Sequence, residues 1–274
     1  VPPFYEILQA WKDDDMTAET ELTVDKVLAI TDPGEVDRHL HGPLDRLVIN
    51  FGNVVAWAFP LLMFAIVAQV FLRGSGFNQA WLDDAQWWIY GFAMLTAFGY
   101  AITTSSHVRV DILHQNYSPE RKARIEVFAI GWLLIPFIAL MTDVMLHYAW
   151  SSIISGEGSS SPNGLHRVYI LKTAMPILFV LAGLAAWAVF MRNLGNFTST
   201  GLDKILWWAL PSAIFIGWRI VHYAAYWFVY FTNSEINPRR ITREPIFDYT
   251  LTISVVIVVA LFIISFLRNR NKAA

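Results

Sequence analysis

The chain has 274 residues, 55% of them hydrophobic and only 15% charged, with a formal net charge of −2. Soluble domains carry about 25% charged residues, so this balance is that of a membrane protein. Cysteine is absent, which excludes disulfides, thiolate catalysis and cysteine-held metal or iron–sulfur centres.

Residues 1–43 hold ten of the 22 carboxylates (Glu6, Asp13, Asp14, Asp15, Glu19, Glu21, Asp25, Asp32, Glu35 and Asp37) against Lys12, Lys26 and Arg38. They read as a solvated acidic arm whose charge argues against nucleic acid or anionic lipid as its own partner. Phe4, Ile7, Leu8 and Trp11 share one face of a short amphipathic helix after Pro2-Pro3. Asp32-Pro33-Gly34-Glu35 has the cap, proline and glutamate spacing of a second helix start, and Gly42-Pro43 breaks it. The arm has no basic stretch followed by a short apolar core, so insertion is expected to use the first span.

Six apolar blocks follow, at 47–72, 85–102, 125–150, 168–191, 205–231 and 249–267. About 20 apolar residues cross a bilayer as a helix, whereas a barrel strand needs about 10, so the expected fold is an all-α integral membrane helical bundle. Asp83-Asp84 stands where it would cap the second helix, and Ser118-Pro119-Glu120 launches the third. Ser151 to Arg167, with Gly-Glu-Gly, serines and Pro-Asn-Gly, has loop composition. Pro60, Pro136 and Pro176 are placed to kink their helices.

With the N-terminus inside, thirteen Lys and Arg fall on the inner side against six on the outer, which predicts both termini in the cytoplasm. The three arginines of the last outer loop, Arg239, Arg240 and Arg243, run against that bias.

An ionisable group at mid-membrane costs about 2.5 kcal/mol or more unless paired, so such residues are the first functional candidates. Arg219 sits 15th in the fifth block and Asp143 19th in the third, which runs in the same direction. Their depths differ by about 6 Å at 1.5 Å per residue, which makes an Arg219–Asp143 contact a candidate dock between the two helices. The alternatives are snorkelling or a partner chain. His147 and His222 in two spans raise the separate reading of a bis-histidine haem subunit, against which their heights match poorly. Adjacent Asp83 and Asp84 point about 100° apart on a helix and do not converge as an acid–base pair. Glu157, between two glycines that free the backbone, is a functional candidate, with a solvated outer-loop carboxylate as the alternative. The connector His107-Val108-Arg109-Val110-Asp111 alternates polar and apolar residues, as suits a segment at the membrane interface, with lipid headgroups or another subunit as its contact.

Taken together, Gln69-Val70-Phe71-Leu72-Arg73, the acidic pair Asp83-Asp84, His107-Val108-Arg109-Val110-Asp111, Ser118-Pro119, Gly156-Glu157-Gly158, Gly164-Leu165, Lys172 and Pro176 resemble the small permease subunit of tripartite ATP-independent periplasmic (TRAP) transporters. The resemblance covers about residues 44–192, a four-helix unit, with the arm 1–43 before it and two extra helices in 193–274 after it. It implies a bacterial or archaeal cytoplasmic membrane. It also implies a large membrane subunit that moves solute with an ion gradient, a periplasmic binding protein that delivers the solute, and a small subunit that braces the large one. Arg73, Asp83, Asp84, His107, Arg109, Asp111, Glu157 and Lys172 are then candidates for subunit or lipid contacts. No phosphate-cradling glycine loop, metal-spaced cluster or nucleophile–base constellation is present, so no catalytic, cofactor or metal residue is expected. A self-sufficient carrier or channel is the alternative; it would need a site lined at the bilayer midplane by broken helices or repeats.

Overall fold

The computed structural model describes residues 33–34, 38–106, 117–233 and 236–273. The acidic arm up to residue 32, and His107, Arg109 and Asp111, lie outside the described residues.

Helix α1 (Pro43–Ala56) starts on Pro43, whose fixed φ suits the first helical position. Asp45 reaches back so that its Oδ2 accepts the Gly42 N–H at 3.0 Å. Helix α2 (Ala58–Gly74) continues α1 after the single residue Trp57. The interruption has a cause three residues on. Pro60 offers no N–H to the Ala56 carbonyl, and its ring crowds that carbonyl. Together they make an apolar rod, Pro43–Gly74, of 32 residues.

Helix α3 (Ala80–Thr104) returns across the bundle and ends at Ser105, whose φ of 53° is left-handed. Ser118 caps α4 (Pro119–Ala129) by accepting the Arg121 N–H at 3.4 Å, as its Ser-Pro-Glu sequence predicts. A π-helical segment, Ile130–Leu134, joins α4 to α5 (Ile135–Ser155). Pro136 leaves the Trp132 carbonyl without its usual donor, and the widened turn falls on that residue. Gly156, φ 60°, ends α5 in a conformation that favours glycine.

Helix α6 (Val168–Gly195) is the centre of the bundle, packed on α5, α3, α1 and α4. Its Ala182, Ala185, Ala186 and Phe190 have no exposed surface. Gly99 of α3 meets the Ala182 backbone directly, the close approach that small residues permit between membrane helices.

Three further helices pack beside this unit. Helix α7 (Leu202–Trp208) and helix α8 (Leu210–Thr232) meet at Ala209 with a bend of 96°. Pro211 denies a hydrogen bond to the Trp207 carbonyl, so the chain turns there. After short 3-10 turns at Pro238–Arg243 and Pro245–Tyr249 comes α9 (Thr250–Ala273), packed on α8 and α7.

Among the described residues, four helices are long and apolar enough to cross a membrane, or five if the bent pair counts as one span. Six were expected from the apolar blocks. Helix α3, at 25 residues, has the length but is not one of the four, because Gln86, Trp87, Trp88, Tyr90 and Tyr100 dilute its apolar character. The fifth block is not one straight helix, since the α7–α8 bend turns its first residues aside.

Candidate functional site

Arg73, Asp83, Asp84, Glu157, Gly164-Leu165 and Lys172 gather at the end of the bundle that carries the 75–79 and 156–167 connections, whereas Ser118-Pro119 starts α4 at the other end. Arg73 Nη2 donates to Asp83 Oδ2 at 2.7 Å, joining α2 to the first turn of α3. Asp83 Oδ1 accepts from Gln69, whose own carbonyl accepts from Gln86. Gln69 is buried, so this chain of amides satisfies polar groups that the apolar rod would otherwise strand. Arg73 and Asp83 are largely exposed, and that pair by itself contributes little.

Asp84 faces elsewhere. Its Oδ2 accepts the Leu165 N–H at 2.8 Å, across 81 residues of sequence. Gly164 lies so close that a β-carbon there would overlap Asp84 Oδ2 and Ser159 Oγ. This is a physical reason for the Gly164-Leu165 pair. The expected capping role of Asp83 and Asp84 is therefore corrected: α3 begins at Ala80 behind Gln79, which forms no side-chain cap, and the acids stand one turn inside. They tie the helix to α2 and to the loop instead.

Glu157 and Lys172 meet at the same end, Lys172 Nζ donating to Oε1 at 2.6 Å and Oε2 at 2.5 Å. The ammonium also stands 4.1 Å from the centre of the Tyr148 ring, a cation–π position. The Lys172 hydrogen bond first, and then Ser152, hold the Glu157 carboxyl below its ordinary range.

Within the apolar zone, Arg219 Nη2 donates to Asp143 Oδ1 at 2.8 Å, and the Tyr223 hydroxyl donates to the same oxygen at 2.6 Å. Both charged side chains are 18% exposed. Arg219 is tenth in α8, because the helix begins at Leu210 after the bend. The two histidines meet Tyr223 from different directions, His147 stacked and His222 edge-on. His147 Nδ1–H donates to the Asp143 carbonyl at 2.9 Å and its ring lies over Tyr223, whereas His222 packs edge-on against Phe247.

Three other connections escaped sequence reasoning. Arg192, near the end of α6, lies 3.4 Å from the buried Asp45 of α1 and donates to the Thr103 carbonyl of α3 at 3.3 Å. No local signal in the sequence points Asp45 to a partner 147 positions away. Ser212 of α8 donates to the Gly131 carbonyl in the π segment, and a β-carbon on Gly131 would collide with the Trp208 carbonyl. Asp203 of α7 accepts from Asn269 of α9 at 2.6 Å, and its own N–H donates to Ser265 at 3.0 Å.

A bundle of long apolar helices with its polar groups paired internally defines the class: a polytopic α-helical membrane protein. Residues 62–192 match the family model described as tripartite ATP-independent periplasmic transporters, DctQ component. The matched segment runs from α2 to α6, and this unit is similar to TRAP small permease components. No curated protein and no solved structure matches the chain. Helix α1 and everything after α6 lie outside the matched segment.

Proposed function

We propose that this chain is the non-catalytic small membrane subunit of a TRAP-type secondary transporter and braces the large, ion-coupled subunit during uptake of a solute, an organic acid by preference. One observation carries the scaffolding role. The middle of the matched unit is filled by Ala182, Ala185, Ala186 and Phe190, none with exposed surface, while at one end Arg73 pairs with Asp83, Lys172 with Glu157, and Asp84 accepts a loop amide. The broad apolar face of α1 and α2, from Trp57 through Phe64 to Phe71, is turned outward.

In this reading a large membrane subunit packs against the bundle and a periplasmic binding protein docks on the assembly. The connector residues His107, Arg109 and Asp111 and the loop residue Glu157 supply contacts to those partners, with membrane lipid around them. The Lys and Arg bias supports both termini in the cytoplasm.

The test is co-purification of the endogenous partner with the tagged chain, followed by uptake in vesicles with and without this chain. Uptake that requires both membrane subunits supports the proposal. Uptake by this chain alone would replace it with a self-sufficient carrier. Reporter fusions at the two ends test the topology, and activity of a periplasm-dependent reporter at either end would overturn it.

A further inference from the structure

We infer that the appended elements α7 and α9 form a binding site for the headgroup of an anionic phospholipid. The site is an open cavity of about 620 Å³ between the start of α7 and the end of α9. Lys204 of α7 and Arg270 of α9 bring two cations to its rim, and Ser199 and Thr200 add hydroxyls. Among the described residues neither cation forms an ion pair. The one carboxylate in the wall, Asp203, is 4% exposed, and its Oδ1 is taken by Asn269. Positive charge therefore dominates what the cavity presents to solvent.

The geometry of α7 selects a lipid over a soluble anion. Its 96° bend against the long apolar helix α8 lays it near the membrane plane when α8 crosses the bilayer. The Asp203–Asn269 bond and the bond from the Asp203 N–H to Ser265 fix it against α9. Trp207 and Leu202 are exposed, and the Trp207 ring lies 6.3 Å from that of Phe262, about two turns before Arg270. Aromatic residues on the hydrocarbon side with cations just beyond them is the layering of an interfacial headgroup site. Acyl chains would run along Trp207 and Phe262 while the phosphate meets Lys204 and Arg270. The inference does not depend on which side of the membrane this end occupies.

The test uses the purified full chain in detergent and native mass spectrometry with phosphatidylglycerol, with phosphatidylcholine of equal chain length as control. The wild type is expected to retain phosphatidylglycerol preferentially. Lys204→Gln and Arg270→Gln should each weaken retention about fivefold, as follows from ~1 kcal/mol per basic residue at a lipid surface. Lys204→Arg with Arg270→Lys should retain it, and Arg121→Gln with Lys122→Gln, a matched charge loss elsewhere, should leave it unchanged. Size-exclusion profiles check that each variant is folded. Equal retention of the two lipids, unchanged binding in folded neutral variants, or displacement by millimolar inorganic phosphate would each overturn the inference, the last assigning the site to a soluble anion.

Discussion

Arg219 on α8 and Asp143 on α5 form an ion pair, Nη2 to Oδ1 2.8 Å, across the seam between the family-matched unit and the appended helices. Tyr223 completes it by donating to the same carboxylate oxygen. Both side chains are mostly covered, so loss of one partner is more damaging than loss of both, because a lone charge remains in an apolar setting.

Asp143→Ala and Arg219→Ala are each expected to destabilise the chain by about 3 kcal/mol, the lower end of the cost of breaking a buried pair. The charge-swapped double variant should recover part of that loss in thermal unfolding of the detergent-purified protein. Strictly additive losses would show that the two residues do not stabilise each other. Tyr223→Phe should cost about 1 kcal/mol, the worth of one hydrogen bond.

The Glu157–Lys172 bond makes stability at the loop end sensitive to acid. Because the folded carboxyl titrates below its ordinary value of 4.5, the folded state holds its charge where the unfolded chain begins to take up a proton. The contribution is fully present above that ordinary value and is lost as pH falls through the lower folded value. Unfolding of wild type and Glu157→Gln, followed from pH 7 downward, should therefore converge below pH ~4.5. A constant difference across that range would count against the assignment.

Gly164→Ala places a methyl group against Asp84 and Ser159. The loop must move, and the bond from Leu165 N–H to Asp84 goes with it. The expected cost is about 1–3 kcal/mol, as for overpacking in a filled site. Hydrogen exchange at the Leu165 amide reads this directly: it should accelerate in Gly164→Ala and in Asp84→Ala alike. Unchanged exchange in Asp84→Ala would remove the bond from the account.

At Gly131 a side chain meets the Trp208 carbonyl. Gly131→Val should detach the α7–α8 corner from α5, while Ser212→Ala, which removes only the hydroxyl donor, should cost about 1 kcal/mol. Limited proteolysis around Ala209 distinguishes them. Faster cleavage is expected in Gly131→Val, and little change in Ser212→Ala; equal cleavage in wild type and Gly131→Val would mean the corner does not rely on this contact.

Much of the architecture was legible because its causes are local. Apolar length announces helices that fit a bilayer, and proline announces where a ladder fails. Pro60 and Pro136 each mark a break one turn upstream. The same rule at Pro211 accounts for the bend that the fifth block, read as one continuous span, concealed. Ser118-Pro119 capped the helix it introduced. Asp83-Asp84 did not, since the true start lay at Ala80, and a cap is decided by one residue of register.

By itself the sequence determined membrane residence, the helical class and the family likeness of the central unit, because hydropathy and short motifs need no knowledge of what lies across the bundle. Depth counting likewise set Arg219 and Asp143 at neighbouring heights. Only the tertiary structure decided which polar groups meet: Asp84 with the Leu165 amide, Asp45 with Arg192, Asp203 with Asn269. Those choices follow from how α6 and its neighbours interlock through small residues, and the rotation of each helix about its axis then selects the partner. That rotation is a property of the packed bundle, and no single stretch of the chain encodes it.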